Sequence, residues 1–162
     1  MGVSQLFIDN GYRVAMLARR VDRLEAFVAE QKEGRDRVMS LACDVTDRQQ
    51  VNTAVDDVLS CWGQVDIMVA NAGIGISCPG TEWDTEIVEK VFQVNVFGAM
   101  YCFEAVIPHF LERKSGQLVS ISSLAAYRGL PCAGPYSGSK SALSAMTESL
   151  RLDLKPSGIT VS

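Results

Sequence analysis

Two side chains carry the sharpest chemistry in this sequence. Tyr136 and Lys140 stand four residues apart in Tyr136-Ser137-Gly138-Ser139-Lys140, where a helix is expected to open, so both project from one helical face. An ammonium beside a phenol favours the phenolate, lowering a pKa that is otherwise about 10. Tyr136 is therefore a candidate general acid/base near neutral pH. Other polar groups close apolar stretches: Arg19 and Arg20, Asp44 with Val45, Asn71-Ala72-Gly73, and Ser122-Ser123. Gly and Asn at such ends let backbone approach a ligand closely.

Hydrophobic periodicity describes the scaffold that must hold these groups. Val3, Leu6 and Phe7 have helical spacing and lead to a stop at Asn10-Gly11. Tyr12 to Ala18 is a short apolar run, as expected of a strand buried on both faces. Val21, Leu24, Phe27 and Val28 mark an amphipathic helix running out at Glu33-Gly34, and Arg37 to Ala42 is a second strand. Asp47 can cap a helix with the face Val51, Ala54, Val55, Val58, Leu59 and Trp62, closed by Gly63. Val65 to Ala70 is a third strand, followed by a loop from Asn71 to Gly80. A long helical region runs from about Asp84 to Leu111, interrupted near Gly98 and Pro108. Gln117 to Ile121 is a strand, Ser122 to Pro135 a loop, and Tyr136 to Lys155 a helix stopped by Pro156. Gly158 to Val161 begins one more strand. This alternation predicts an α/β fold, a doubly wound parallel sheet with helices on both faces, as one domain over residues 1–162. Ligands of such sheets bind beyond the carboxyl ends of the strands, where the polar residues above lie.

Composition narrows the function. The chain has 162 residues, 48% hydrophobic and 21% charged, with net charge -4. That is enough apolar material for one core, and the acidic balance argues against a nucleic-acid binder. No apolar run approaches the roughly 18 to 20 residues of a bilayer span. Met1 to Val14 lacks the pattern of a secretory signal. Cys43, Cys61, Cys78, Cys102 and Cys132 form no C-x-x-C, and His109 completes no zinc spacing with them. Reduced thiols in a cytoplasmic protein without a catalytic metal are expected.

Taken together, the motifs resemble those of the short-chain dehydrogenase/reductase family, whose fold is Rossmann-like. The resemblance rests on Ile121-Ser122-Ser123, on Tyr136 to Lys140 thirteen residues after Ser123, on Asn71-Ala72-Gly73, on Asp44-Val45 and on Val94-Asn95-Val96-Phe97-Gly98, in that family's layout across essentially the whole chain. It implies that Tyr136 exchanges a proton with a substrate oxygen and that Ser123 hydrogen-bonds the same oxygen. Lys140 would hold the nicotinamide ribose and tune Tyr136, and Asn95 would support a water linking Lys140 to solvent. Asp44 and Val45 would line the adenine pocket, with Asn71, Ala72 and Gly73 contacting the cofactor. A homodimer or homotetramer is implied as well. The expected substrate is a small alcohol or carbonyl compound.

Charge bears on the cofactor. A site selecting NAD usually places an acid at the end of the fold's second strand. Here Ala18 is followed by Arg19 and Arg20, which suit a 2′-phosphate, so NADP(H) is expected over NAD(H).

The chain also departs from the family pattern. The family opens with a strand and a T-G-x-x-x-G-x-G turn that binds the pyrophosphate at a helix N-terminus, and only Gly2 can match its last glycine. The sequence thus reads as an internal segment of an enzyme. The strands around Val14 and Val69 are expected to expose unpaired inner edges. A catalytically inactive truncated protein, and an epimerase or dehydratase using the same Tyr and Lys, are the competing readings.

Overall fold

The computed structural model describes residues 2–30 and 35–162. The turn expected at Glu33-Gly34 lies outside them. Helix α1 (Gly2–Asp9) leads to β1 (Val14–Ala18), α2 (Val21–Glu30) and β2 (Val38–Ala42). Then come α3 (Arg48–Trp62), β3 (Ile67–Ala70), α4 (Thr85–Phe92), a π turn (Gln93–Phe97) and α5 (Gly98–Arg113). The chain continues through β4 (Gly116–Ser120), α6 (Gly134–Leu154) and β5 (Ile159–Val161). Every strand pair is parallel, in the orders β1-β2 and β3-β4-β5. The fold is Rossmann-like α/β, and β1 and β3 each keep one edge unpaired among the described residues.

Those open edges change the expected burial. The Tyr12 to Ala18 strand is expected to be covered on both faces, yet most residues of β1, like those of β3, are only half-buried. A strand lacking one neighbour leaves the flanks of its side chains uncovered. β2, expected from Arg37, starts at Val38, because Arg37 closes a short 3₁₀ turn.

Three clusters hold the layers together. Phe103, Phe110, Leu118 and Leu143 centre the largest, where α5 and α6 pack against β4. Each such side chain contributes on the order of 1.5–3 kcal/mol through burial. Ile8, Met16, Leu24 and Phe27 join α1 and α2 to β1. Cys43, Val51 and Cys102 form the third, with Leu17 of β1 and Met68 of β3 packed against it.

Local chemistry sets the helix boundaries. Asp47 caps α3 by accepting the amides of Gln49 and Gln50, and Gly63 ends it in the left-handed conformation. α6 begins at Gly134, before the expected Tyr136, because Pro135 suits the first turn.

Of the two interruptions expected in the long helical region, the one near Gly98 is present and the one at Pro108 is not. The break is the π turn, in which the Gly98 amide reaches back five residues to the Gln93 carbonyl. Pro108 causes no break within α5. It and Glu104, whose carbonyl loses its helical partner, are both exposed, so water can take the bond. By length and mean hydropathy, 1.3, Thr85–Arg113 is also apolar enough to cross a bilayer, which reading uninterrupted apolar runs did not reveal. Its apolar residues Val91, Phe103, Val106 and Phe110 are instead core side chains.

Candidate active site

The first turns of α6 carry the reactive pair. Tyr136 is half-buried, and Lys140, one turn further on, is only 4% exposed. The Lys140 ammonium donates to the Ile121 carbonyl, just past β4, at 2.7 Å and lies 6.0 Å from the centre of the Tyr136 ring. Burial pushes the Lys140 pKa down, partly opposed by the attraction of Tyr136. One carbonyl leaves this buried ammonium with further N–H groups to donate.

Asn95, at 0% exposure, fastens the π turn to the loop after β3. Its Oδ1 accepts from the Ile74 amide at 2.7 Å, and its Nδ2 donates to the Ile74 carbonyl at 2.9 Å and to Ser139 Oγ at 3.0 Å. Ser139 donates in turn to the Tyr136 carbonyl at 2.7 Å. A chain of hydrogen bonds therefore links the loop, the π turn and the base of α6. Ser139 lies within the Tyr-to-Lys motif, three residues after Tyr136, but its role was not legible because Asn95 is 44 positions away.

A cleft of about 580 Å3 opens between these parts, lined by Asn71, Gly73, Ser122, Tyr136 and Lys140 together with Ile74, Ile76, Ile121 and Cys132. Ser123 is a neighbour rather than part of this wall. It caps the short 3₁₀ turn Leu124–Ala126, its Oγ accepting from the Ala125 amide at 3.1 Å. Its hydroxyl proton stays available to donate. Ser122 Oγ pairs with Ser144 Oγ at 2.6 Å.

Cys132 escaped the sequence reading. It stands exposed in the wall with φ +57°, its carbonyl accepting from the Cys78 amide at 2.8 Å. A left-handed cysteine leaves no signal in composition or periodicity.

The remaining candidates lie at other strand ends. Arg19, past β1, faces Asp44, past β2, at 4.0 Å, while its side chain stays 70% exposed. Asp44 also accepts from the Thr46 amide at 3.0 Å and hydroxyl at 2.8 Å. These bonds, the amide first, hold its carboxyl below the usual carboxylate range. Arg20 and Ala72 are exposed, and Gly2 opens α1. Val45 packs on the π turn, where a Cβ at Gly98 would lie 2.8 Å from Val45 Cγ2. Only glycine permits that approach.

This donor set fits a nicotinamide dinucleotide. Lys140 has donors to spare at the cleft wall. Gly73 leaves bare backbone beside it: a Cβ there would sit 3.4 Å from Asn95 Oδ1 and 3.5 Å from Lys140 Nζ. Arg19 and Arg20 add exposed cations.

Known proteins resemble this chain in sequence and in fold. An uncharacterized oxidoreductase of Myxococcus xanthus is 35% identical over 161 residues, 99% of this chain and 64% of that protein. The solved structure of ElxO with NADP bound matches with a TM-score of 0.93 at 26% identity, covering 98% of this chain and 64% of that one. The 3-ketoacyl-(acyl-carrier-protein) reductase from Brucella melitensis complexed with NADH matches with a TM-score of 0.91 at 28% identity, covering 99% and 66%. The chain thus spans about two thirds of the length of these proteins. A family model for short chain dehydrogenase matches residues 1–162 in full, and with the parallel fold and the Tyr136–Lys140 pair in place, the chain belongs to the short-chain dehydrogenase family.

Proposed function

We propose that the protein is an oxidoreductase that moves a hydride between NADP(H) and the carbon of an alcohol or carbonyl substrate. The observation that carries this reading is the Tyr136–Lys140 pair: a phenol and a buried ammonium share one cleft wall at the carboxyl ends of the strands. A bound nicotinamide supplies or takes up the hydride. Tyr136 gives its proton to the carbonyl oxygen in reduction and takes one from the hydroxyl in oxidation. Lys140, anchored by the Ile121 carbonyl, keeps positive charge near the ring and offers its other N–H groups to the ribose hydroxyls. Ser123 donates to the same substrate oxygen and stabilises the charge that develops there. Asn95 holds the loop wall in place and supports a water between Lys140 and solvent.

The other assignments follow the strand ends. Arg19 and Arg20 hold the 2′-phosphate, which makes NADP(H) the preferred cofactor over NAD(H). Asp44 and Val45 line the adenine side, Asn71, Ala72 and Gly73 meet the cofactor through backbone, and Gly2 meets the pyrophosphate. The 162 residues act as one domain within a cytoplasmic homodimer or homotetramer.

The test is nicotinamide binding and carbonyl reduction by the full-length protein, measured by NADPH absorbance against a panel of ketones and aldehydes. Saturable NADPH binding with turnover that Tyr136→Phe removes is expected. No binding of either nicotinamide would overturn the reading.

A further inference from the structure

A general acid works only within hydrogen-bond reach of its oxygen, so where the Tyr136 phenol stands matters as much as its chemistry. Contacts at both ends of the residue place it. At the backbone, the Tyr136 carbonyl accepts from Ser139 Oγ at 2.7 Å. At the ring, Gly75 of the loop after β3 comes alongside: a Cβ there would sit 3.5 Å from Tyr136 Cδ2 and 3.8 Å from Cγ.

Asn95 joins the two ends. Its Nδ2 donates to Ser139 Oγ at 3.0 Å, and its amide holds both backbone groups of Ile74, the residue before Gly75. Tyr136, Ser139, Asn95, Ile74 and Gly75 therefore form a closed circuit of contacts that returns to the phenol ring. Proton counting fixes the direction of its bonds. Ser139 has one hydroxyl proton, which goes to the Tyr136 carbonyl, so the lone pairs of Oγ are left for Asn95. Both Nδ2 hydrogens of Asn95 are then in use, on Ile74 and on Ser139. Ser139 and Asn95 are fully buried, so removing one strands the other away from solvent.

We infer that Ser139 is a positioning residue for Tyr136: it closes this circuit and holds the phenol in one place against the loop wall. The inference rests on the oxidoreductase reading above. A hydroxyl is needed there rather than merely a small side chain, because only a group that donates and accepts at once links the carbonyl to the amide. Thr147, two turns further along α6 and also buried, supplies the comparison. Its hydroxyl donates to a helix carbonyl, that of Leu143, at 2.8 Å and pairs with a second side chain, Ser120 Oγ, at 3.1 Å. Those bonds lie outside the circuit.

The experiment replaces Ser139 by Ala and, separately, by Thr in the full-length protein, with Thr147→Ala as the comparison. Tyrosines are labelled as 3-fluorotyrosine, and the Tyr136 resonance is identified by its loss in Tyr136→Phe. In Ser139→Ala that fluorine line is expected to shift or split; in Ser139→Thr and Thr147→Ala it keeps the parental position. With NADPH and the best carbonyl of the ketone and aldehyde panel, kcat of Ser139→Ala should fall about ten- to a hundredfold. Its NADPH Kd should change less than about twofold, and Ser139→Thr should bring kcat back to within about threefold of the parent. An unmoved Tyr136 line or parental kcat in Ser139→Ala would overturn the inference, as would an equal loss in Ser139→Thr or Thr147→Ala. If Ser139→Ala does not fold, Ser139→Cys fills the same space with a weak donor and is read by the same two criteria. Absence of NADPH and NADH binding would overturn the oxidoreductase reading, while the fluorine line still decides whether Ser139 places Tyr136.

Discussion

The Lys140 ammonium and the Ile121 carbonyl meet at 2.7 Å, tying the first turns of α6 to the segment just past β4. That bond fixes a buried cation beside the Tyr136 ring without neutralising it. Tyr136→Phe keeps the ring and its packing and removes only the exchangeable proton. Turnover should fall by at least about 10²- to 10⁴-fold while NADPH affinity changes less than about threefold. Parallel steady-state kinetics and fluorescence titration check this, and substantial residual turnover would remove Tyr136 from its role.

Asn95 is the seam between the loop after β3 and the base of α6. Asn95→Ala leaves the Ile74 amide and carbonyl and the Ser139 hydroxyl short of a partner. The expected loss is about 2–4 kcal/mol of stability, with activity falling as the cleft wall loosens. Urea unfolding monitored by circular dichroism measures it. A loss below about 0.5 kcal/mol would mean that water replaces the amide without cost.

Arg19 supplies the argument for the phosphorylated cofactor. Arg19→Asp places a carboxylate where the guanidinium stood, facing Asp44. The ratio of kcat/KM for NADPH over NADH should drop at least about tenfold. An unchanged ratio would rule out Arg19 as the 2′-phosphate reader.

Thiol accessibility tests the cleft wall directly. Cys61 and Cys132 are exposed, whereas Cys43, Cys78 and Cys102 are buried. Iodoacetamide followed by peptide mass mapping should modify the first two and spare the others. NADPH with a substrate analogue should protect Cys132 and leave Cys61 reactive. Equal protection of both would place the ligand elsewhere.

Burial raises the Cys102 thiol to about 11 from an ordinary 9.0. Between those values the folded chain holds a proton that the unfolded chain has released. The associated stability is present below pH 9.0 and lost as pH rises through the folded value. The shift corresponds to about 2–3 kcal/mol. Lys140, pushed down by burial, acts in the opposite direction just below its ordinary value. Urea midpoints at pH 8 and above pH 11 should therefore differ less in Cys102→Ala than in the parent protein. An identical difference would assign the alkaline loss to other groups.

The order of elements, the Asp47 cap and the Tyr136–Lys140 face were legible because each depends on residues within a few positions of one another. What escaped depends on distance. The Gln93–Phe97 π turn has ordinary helical residues, and its reason lies in partners far along the chain: Ile74 for Asn95 and Val45 for Gly98. Pro108 signalled a break, but sequence does not say that its face of α5 meets water. The placement of Ser122 in the cleft wall and Ser123 beside it depends on which hydroxyl caps the next turn. The span-like hydropathy of Thr85–Arg113 came from averaging across the Asn95 region, where no single run is long.

Among the described residues, β1 and β2 share ladder hydrogen bonds only with each other, as do β3, β4 and β5, and side chains join the two groups. Leu17 and Met68, both packed on the cluster of Cys43, Val51 and Cys102, are part of that joint. Arg19 and Asp44 belong to one sheet, and Tyr136 and Lys140 to the other. A dinucleotide reaching from one set to the other would act as a cross-brace between them.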